Sequence, residues 1–151
     1  MSFRSALNAL AALNVNGIAR NLAIEATPEA PQRGQLPALL VLPIDFHEER
    51  RAQEQSHGFE ALAFSSAGQT VSYCVTHLLL IAPAAQGRGI RDHLPLLVDS
   101  IDAYFSALGA NVTLGGALLE PARVRVEPGS FTLGGVAYYG CAFRHTWLIQ
   151  M

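Results

Sequence analysis

Apolar positions along the chain change period several times, and each change marks an element. Over residues 2–14, Phe3, Leu7, Leu10, Leu13 and Asn14 recur at helical spacing, with Ser2 or Ser5 placed to cap the start. Asn14-Val15-Asn16-Gly17 predicts the stop, because Asn and Gly tolerate the left-handed backbone that ends helices. Residues 18–24 predict a short strand, and Pro28, Pro31, Gly34 and Pro37 punctuate a loop. The continuous apolar run over residues 36–42, closed by Pro43, fits a buried strand. Residues 59–64 and 71–81 predict a strand pair around the turn Ser65-Ser66-Ala67-Gly68. In the second strand Val71, Tyr73, Val75, Leu79 and Ile81 share one face, while Ser72, Cys74 and Thr76 share the other. That polar face turns apolar at Leu78 and Leu80, so the end of the strand is expected to be covered on both sides.

Residues 82–91 form a loop containing Gln86-Gly87-Arg88-Gly89, and an amphipathic helix follows. Leu94, Leu97, Val98, Ile101, Tyr104, Phe105 and Leu108 follow the i, i+3, i+4, i+7 pattern, with Asp99 and Asp102 outside it. Asp92 is the expected N-cap, Pro95 lies in the first turn, and Gly109 is the expected C-cap. Beyond it, Val124 and Val126 alternate with Arg123 and Arg125, and Pro128-Gly129 opens a turn region. Residues 136–151 predict a long strand with a bulge at Gly140. Its core stripe is Tyr139, Cys141, Phe143, Trp147, Ile149 and Met151, with His145 in the same row. The whole pattern predicts a single α+β domain: a mixed, mostly antiparallel sheet of about five strands packed on two helices.

Composition narrows the chemistry. The 151 residues are 50% hydrophobic and 15% charged, enough to bury one core and too apolar for disorder. Net charge is −2 with no long run of either sign, which argues against a dedicated nucleic-acid binder. All ten basic residues are Arg, so a P-loop lysine, a Schiff-base lysine and a lysine general base are excluded. Cys74 and Cys141 stand in apolar strand segments, as buried free thiols do. The N-terminus lacks the pattern of a secretory signal, and no apolar run approaches the length of a membrane span.

Catalytic and metal-binding patterns are hard to assemble from these residues. Among His47, His57, His77, His93 and His145 no pair has metal-ligand spacing on one helix. His77 and His145 alternate into apolar strands and are expected to be satisfied core histidines. No Gly-x-Ser-x-Gly elbow occurs, and Asp99 and Asp102 lie on a polar helix face rather than as an acid–base pair. The loop Gln86-Gly87-Arg88-Gly89-Ile90-Arg91 resembles the acetyl-CoA pyrophosphate loop of GNAT-type acetyltransferases. Arg91 stands where that pattern needs Gly or Ala for close backbone approach. Asp92 and Pro95 then add negative charge and remove a donor in the first turn. The sequence after the helix also lacks that family's later strand–helix–strand. No catalytic, cofactor-binding or metal-binding residue is therefore assigned. Thr113-Leu114-Gly115-Gly116 and Thr132-Leu133-Gly134-Gly135 repeat one tetrapeptide, most simply as turn chemistry using Gly for unusual dihedrals.

In order and character of its elements the chain resembles the tail-terminator, or tail-completion, proteins of long-tailed phages. The likeness is carried by Leu36-Pro37-Ala38-Leu39-Leu40-Val41, by Val75-Thr76-His77-Leu78-Leu79-Leu80, and by the helix from Leu94-Pro95-Leu96-Leu97 to Ala103-Tyr104. It continues through Arg125-Val126-Glu127-Pro128-Gly129, Gly134-Gly135-Val136-Ala137-Tyr138-Tyr139-Gly140 and Phe143-Arg144-His145-Thr146-Trp147. It spans nearly the full length, through strands, turns and core rather than a reacting site. The resemblance implies a virion protein, made in the host cytoplasm, that forms a homo-oligomeric ring, a hexamer in that family, at the head-proximal end of the tail. Such a ring ends tail-tube polymerisation and meets the tail tube protein and the head connector. DNA passes through its lumen without sequence-specific binding. Other neck proteins, such as head-completion proteins and connector adaptors, are the alternative position. Residues 45–58, 82–91 and 127–135 are the expected inter-subunit or tube contacts. Glu48, Glu49, Arg50, Arg51, Glu54, Arg88, Arg91 and Phe131 are the interface candidates, with Arg88 and Arg91 facing Glu48, Glu49 or Glu54 of a neighbour.

Overall fold

The computed structural model describes residues 3–28, 30–43, 58–84 and 89–151, with only the backbone described for 58–62. Helix α1 (Phe3–Ala11) leads into strands β1 (Arg20–Leu22), β2 (Ala38–Leu42), β3 (Gly58–Ser65) and β4 (Gly68–Pro83). Helix α2 (Leu94–Gly109) and the hairpin β5 (Arg123–Leu133) and β6 (Val136–Gln150) complete the chain. The fold is α+β, with six strands among the described residues where the sequence pattern predicts about five.

β4 is the spine of the sheet. The order is β1-β2-β4-β6-β5, and β3 joins the same edge of β4 as β2, lower down. β6 lines the other edge of β4 along almost its whole length, from Thr70↔Gln150 to Pro83↔Tyr138. All pairings are antiparallel except β1 with β2. Two-residue periodicity then sorts the side chains. Val71, Tyr73, Val75, His77, Leu79 and Ile81 of β4 face the helices, with Cys141, Phe143, His145, Trp147 and Ile149 of β6.

Two layers cover this face. Ala6, Leu7 and Leu10 of α1, with Leu114, Ala117 and Leu118, pack over Tyr73, Val75, Trp147 and Ile149. Leu97 and Tyr104 of α2 pack over Leu39, Leu79, Cys141 and Phe143. The opposite face is apolar only at its upper end, where Ala38, Leu40, Leu78, Leu80, Tyr138 and Ala142 form a third cluster. The segment before β2 covers that end, and Tyr138 Oη donates to the Pro31 carbonyl at 2.7 Å. The expected two-sided burial at Leu78 and Leu80 is thus present.

Several boundaries differ from the sequence pattern. α2 starts at Leu94 after a 3-10 turn over Ile90–His93, so His93 rather than Asp92 is the N-cap, and the C-cap is Ala110, one residue past Gly109. Pro128-Gly129 makes no turn. Both lie inside β5, where an edge strand tolerates a residue without an N–H. The hairpin turns at Gly134-Gly135, with φ +58° and +78°, a left-handed pair that favours glycine at both positions. In the other copy of the tetrapeptide, Leu114, Gly115 and Gly116 also have positive φ. The irregularity expected at Gly140 falls across from it, between Leu80 and Ala82 of β4. At Gly140 β6 lies against β4 with no room for a side chain, since a Cβ there would be 1.9 Å from the Leu79 carbonyl oxygen.

Candidate functional site

The strands bring the polar residues of the core into one line beneath the helices. His77 on β4 and His145 on β6 point into the layer between sheet and α2, both buried, with ring centroids 6.5 Å apart. Tyr104 of α2 comes down between them, its ring stacked on Phe143 at 3.7 Å. Its hydroxyl lies 2.9 Å from His77 Nδ1 and 2.7 Å from His145 Nε2. Asn21 of β1 and Trp147 of β6 close the two ends.

Donor and acceptor roles can be assigned from the ends inward. Trp147 Nε1–H can only donate, and it reaches His145 Nδ1 at 3.2 Å, so that nitrogen accepts. His145 Nε2–H then donates to the Tyr104 oxygen, whose own proton goes to His77 Nδ1. His77 Nε2–H donates to Asn21 Oδ1 at 3.0 Å. The Asn21 amide in turn donates to the carbonyls of Leu10 at 3.3 Å and Leu13 at 2.9 Å, near and just past the end of α1, where the Leu10 carbonyl also accepts from the Leu13 N–H at 3.2 Å. Five side chains from four elements thus form one directed chain, and no ring nitrogen in it is left over. Burial holds both imidazoles neutral: His145 is pushed down to about 3, and His77 well below its usual value, with the neighbouring His145 adding to the effect. Burial likewise raises the Tyr104 hydroxyl, with Cys141 adding.

These are satisfied core histidines, as strand alternation predicts. Tyr104 is expected as a core residue from its helical spacing, but its hydroxyl's role is not readable from it. Asn21 has no sequence signal at all, since it acts on residues made far later in the chain.

A second polar group lies on the opposite face of the sheet. Arg144 donates through Nε to Glu127 at 2.5 Å and through Nη1 to Thr76 at 3.3 Å, while Arg125 reaches the other Glu127 oxygen at 2.7 Å. The guanidinium of Arg144 holds the Glu127 carboxyl below its usual value. Cys74 and Cys141 are free thiols, and burial pushes Cys141 up to about 11.

A cleft of about 320 Å³ opens at the upper end of β4, lined by Arg33, Leu36, Pro37, Ile81, Ala82, Pro83, His93 and Leu96. Among the described residues no three of His, Cys, Asp and Glu come together as metal ligands. Among them, too, no helix is long and apolar enough to cross a membrane. In the loop that resembles an acetyl-CoA site, Gln86, Gly87 and Arg88 lie outside the described residues. β5 and β6 follow α2 as a hairpin with no helix between them.

Of the interface candidates, Glu48, Glu49, Arg50, Arg51, Glu54 and Arg88 also lie outside the described residues. Arg91 is exposed in the 3-10 turn before α2, and Phe131 is half-buried against the Tyr138 cluster. The three expected contact segments prove unlike one another: 127–135 is strand and hairpin turn, 82–91 includes the end of β4 and a 3-10 turn, and all but Gly58 of 45–58 lies outside the described residues.

The clearest surface feature was not anticipated. Of the apolar residues expected to make one core stripe on α2, Leu97 and Tyr104 are buried, but Leu94, Val98 and Phe105 are not. Val98 is 60% exposed and Phe105 49%, and on β3 Phe64 is 72% exposed. The inward face of α2 is completed instead by Ser100, which is buried. The sequence signal was available: apolar residues around more of the helix than one core-facing stripe needs. Comparison of the chain with protein-family models, with curated proteins and with solved structures finds no match.

Proposed function

We propose that this chain is a structural assembly protein of a long-tailed phage, forming a ring at the head-proximal end of the tail. There it ends tube polymerisation and joins tail to head, with the tail tube protein and head connector as partners and DNA passing through its lumen. The observation that carries the reading is the apolar flank of α2. A helix with apolar side chains on two faces is suited to burial on two sides, once against its own sheet and once in an assembly. The histidines fit the same reading, because His77 and His145 use both ring nitrogens to tie the helices to the sheet.

The test is solution mass by light scattering across a concentration series, with negative-stain images of the largest species and a pull-down on purified phage tail tubes. The expected result is a ring, of six subunits by the family resemblance, that caps tubes. A chain that stays monomeric throughout and ignores tail tubes would overturn the proposal.

A further inference from the structure

Strand β5 hydrogen-bonds to β6 along one edge, and among the described residues nothing pairs with the other. The turn decides which of its main-chain groups point outward. A two-residue hairpin closes on a hydrogen-bonded pair, here Leu133 with Val136, and the ladder back from it has no register shift. Hydrogen-bonded and open pairs alternate along it, so Arg123, Arg125 and Glu127 bond to β6. Val124, Val126 and Pro128 turn their main-chain groups to the open edge. Pro128, which has no N–H to give β6, falls in the outward set, as that phase requires.

The edge so defined is short and complementary to itself. It offers an N–H and a C=O at Val124 and again at Val126. Pro128 ends the donors on one side, and on the other the Ala122 N–H is already given to the Val112 carbonyl at 2.9 Å. A second copy turned about a two-fold axis through Arg125 sets Val124 of each copy opposite Val126 of the other, and each such pair exchanges both its hydrogen bonds. The neighbouring registers are poorer. They set Val124 against Pro128, or Val126 against Ala122, and leave one carbonyl per copy without a donor.

The side chains favour the same register on both faces. Toward the helices, Val124 and Val126 are half-buried members of the core under α2, and the pairing makes of them an apolar strip across the axis. Phe143 stands beside Val126 on β6, and Phe105, edge-on to Phe143 at 6.4 Å and half exposed, flanks the strip from each copy. On the other face the exposed Arg123 comes opposite Glu127 of the second copy. Its present partner Glu120, at 3.6 Å, is a surface pair of little strength. Arg125 meets its own copy at the axis, each guanidinium held by Glu127 of its own chain at 2.7 Å.

We infer that the open edge of β5 pairs with the same edge of a second copy of this chain, in a two-fold dimer with Arg125 on the axis. The contact is isologous and closes at two copies. A ring with a different partner on each face has no such axis, so this dimer is a form of the free chain and goes beyond the assembly reading above. It covers an edge that would otherwise invite unrelated strands.

Cysteine cross-linking of the full chain tests it. An open pair on the axis brings its two Cα atoms to about 4.5 Å, within disulfide reach, whereas the two Arg123 positions lie about 13 Å apart. Under mild oxidation Arg125→Cys should run as a linked dimer on a non-reducing gel, while Arg123→Cys and the parent stay single. Arg123→Glu, at an exposed position that leaves the fold intact, should weaken the dimer several-fold at low salt, read as mass by light scattering. Equal linking by Arg123→Cys and Arg125→Cys would overturn the register. A parent of dimer mass whose Arg125→Cys variant does not link would place the dimer on another surface. A monomeric parent with no linking at Arg125→Cys removes the contact altogether, and the tail-tube pull-down decides the assembly reading separately.

Discussion

Replacing Tyr104 by Phe removes one oxygen from the centre of the buried chain and leaves two groups without partners. His145 Nε2–H loses its acceptor and His77 Nδ1 its donor. Neither ring can escape by changing tautomer. His77 with its proton on Nδ1 would set a bare Nε2 against Asn21 Oδ1, and turning the Asn21 amide would set Oδ1 against the Leu10 and Leu13 carbonyls. Both imidazoles are buried, and Phe143 stacks on the Tyr104 ring, so one lost oxygen leaves little room for a water to bridge them. An unsatisfied buried polar group costs about 1–3 kcal/mol, which gives a loss of about 2–6 kcal/mol for the pair. At about 2–4 °C per kcal/mol for a chain of this size, a loss near the middle of that range lowers Tm by about 8–16 °C. Urea unfolding at pH 7.5 measures it, run at two protein concentrations so that any share due to assembly shows as a difference between them. The m-value should not change. Combined with His77→Leu, the variant should show a coupling of about 1 kcal/mol or more. A loss under about 0.5 kcal/mol, or strict additivity, would refute the directed chain, because neither is compatible with two orphaned groups at a sealed site.

Two further outcomes follow from the same packing. Because both imidazoles are neutral when folded, the unfolded chain binds protons below about pH 6.5 that the native one refuses, down to about pH 3 at His145. Stability is therefore level above pH 7 and falls as pH drops, by about 4 kcal/mol for the pair between pH 7.5 and pH 5. Urea midpoints across that range test this, and a flat profile would mean that the rings take up protons without unfolding. Gly140→Ala drives a methyl group into the Leu79 carbonyl and forces β4 and β6 apart at mid-sheet. We expect about 3 kcal/mol of destabilisation or more, or failure to fold, by thermal melting, and wild-type stability would show that the strands separate there freely.

What the sequence disclosed depended on how local each decision was. The alternation through Val71, Tyr73 and Val75 carries His77 to the helix side with no other information, because a strand has no choice of face once its core side is set. The same rule places His145. The glycines of Gly134-Gly135 are legible as turn chemistry, and the hairpin turns there, whereas Pro128-Gly129, a strong breaker in isolation, does not end its strand. Proline is tolerated at that point because β5 pairs with β6 alone among the described residues, which is a property of the sheet order. Asn21 meets His77 across 56 positions, and no window on the sequence is that wide. Val98 and Phe105 have the spacing of core residues and the exposure of surface ones. That conflict cannot be seen until Leu97, Ser100 and Tyr104 are known to occupy the inward face.

The position of β4 also sets the order of events during synthesis. Its main partner, β6, is made only after α2 and β5, and at about 5–20 residues per second that is a wait of several seconds. Through that interval the edge of β4 that pairs with β6 is open beside Val75, His77 and Leu79. His145 and Trp147 both come with β6, so that strand both pairs with β4 and supplies one end of the chain of hydrogen bonds that reaches the end of α1. A ribosome that stalls after α2 would leave a hairpin with its sticky side outward, a natural target for holdase chaperones and for neighbouring nascent chains on the same message.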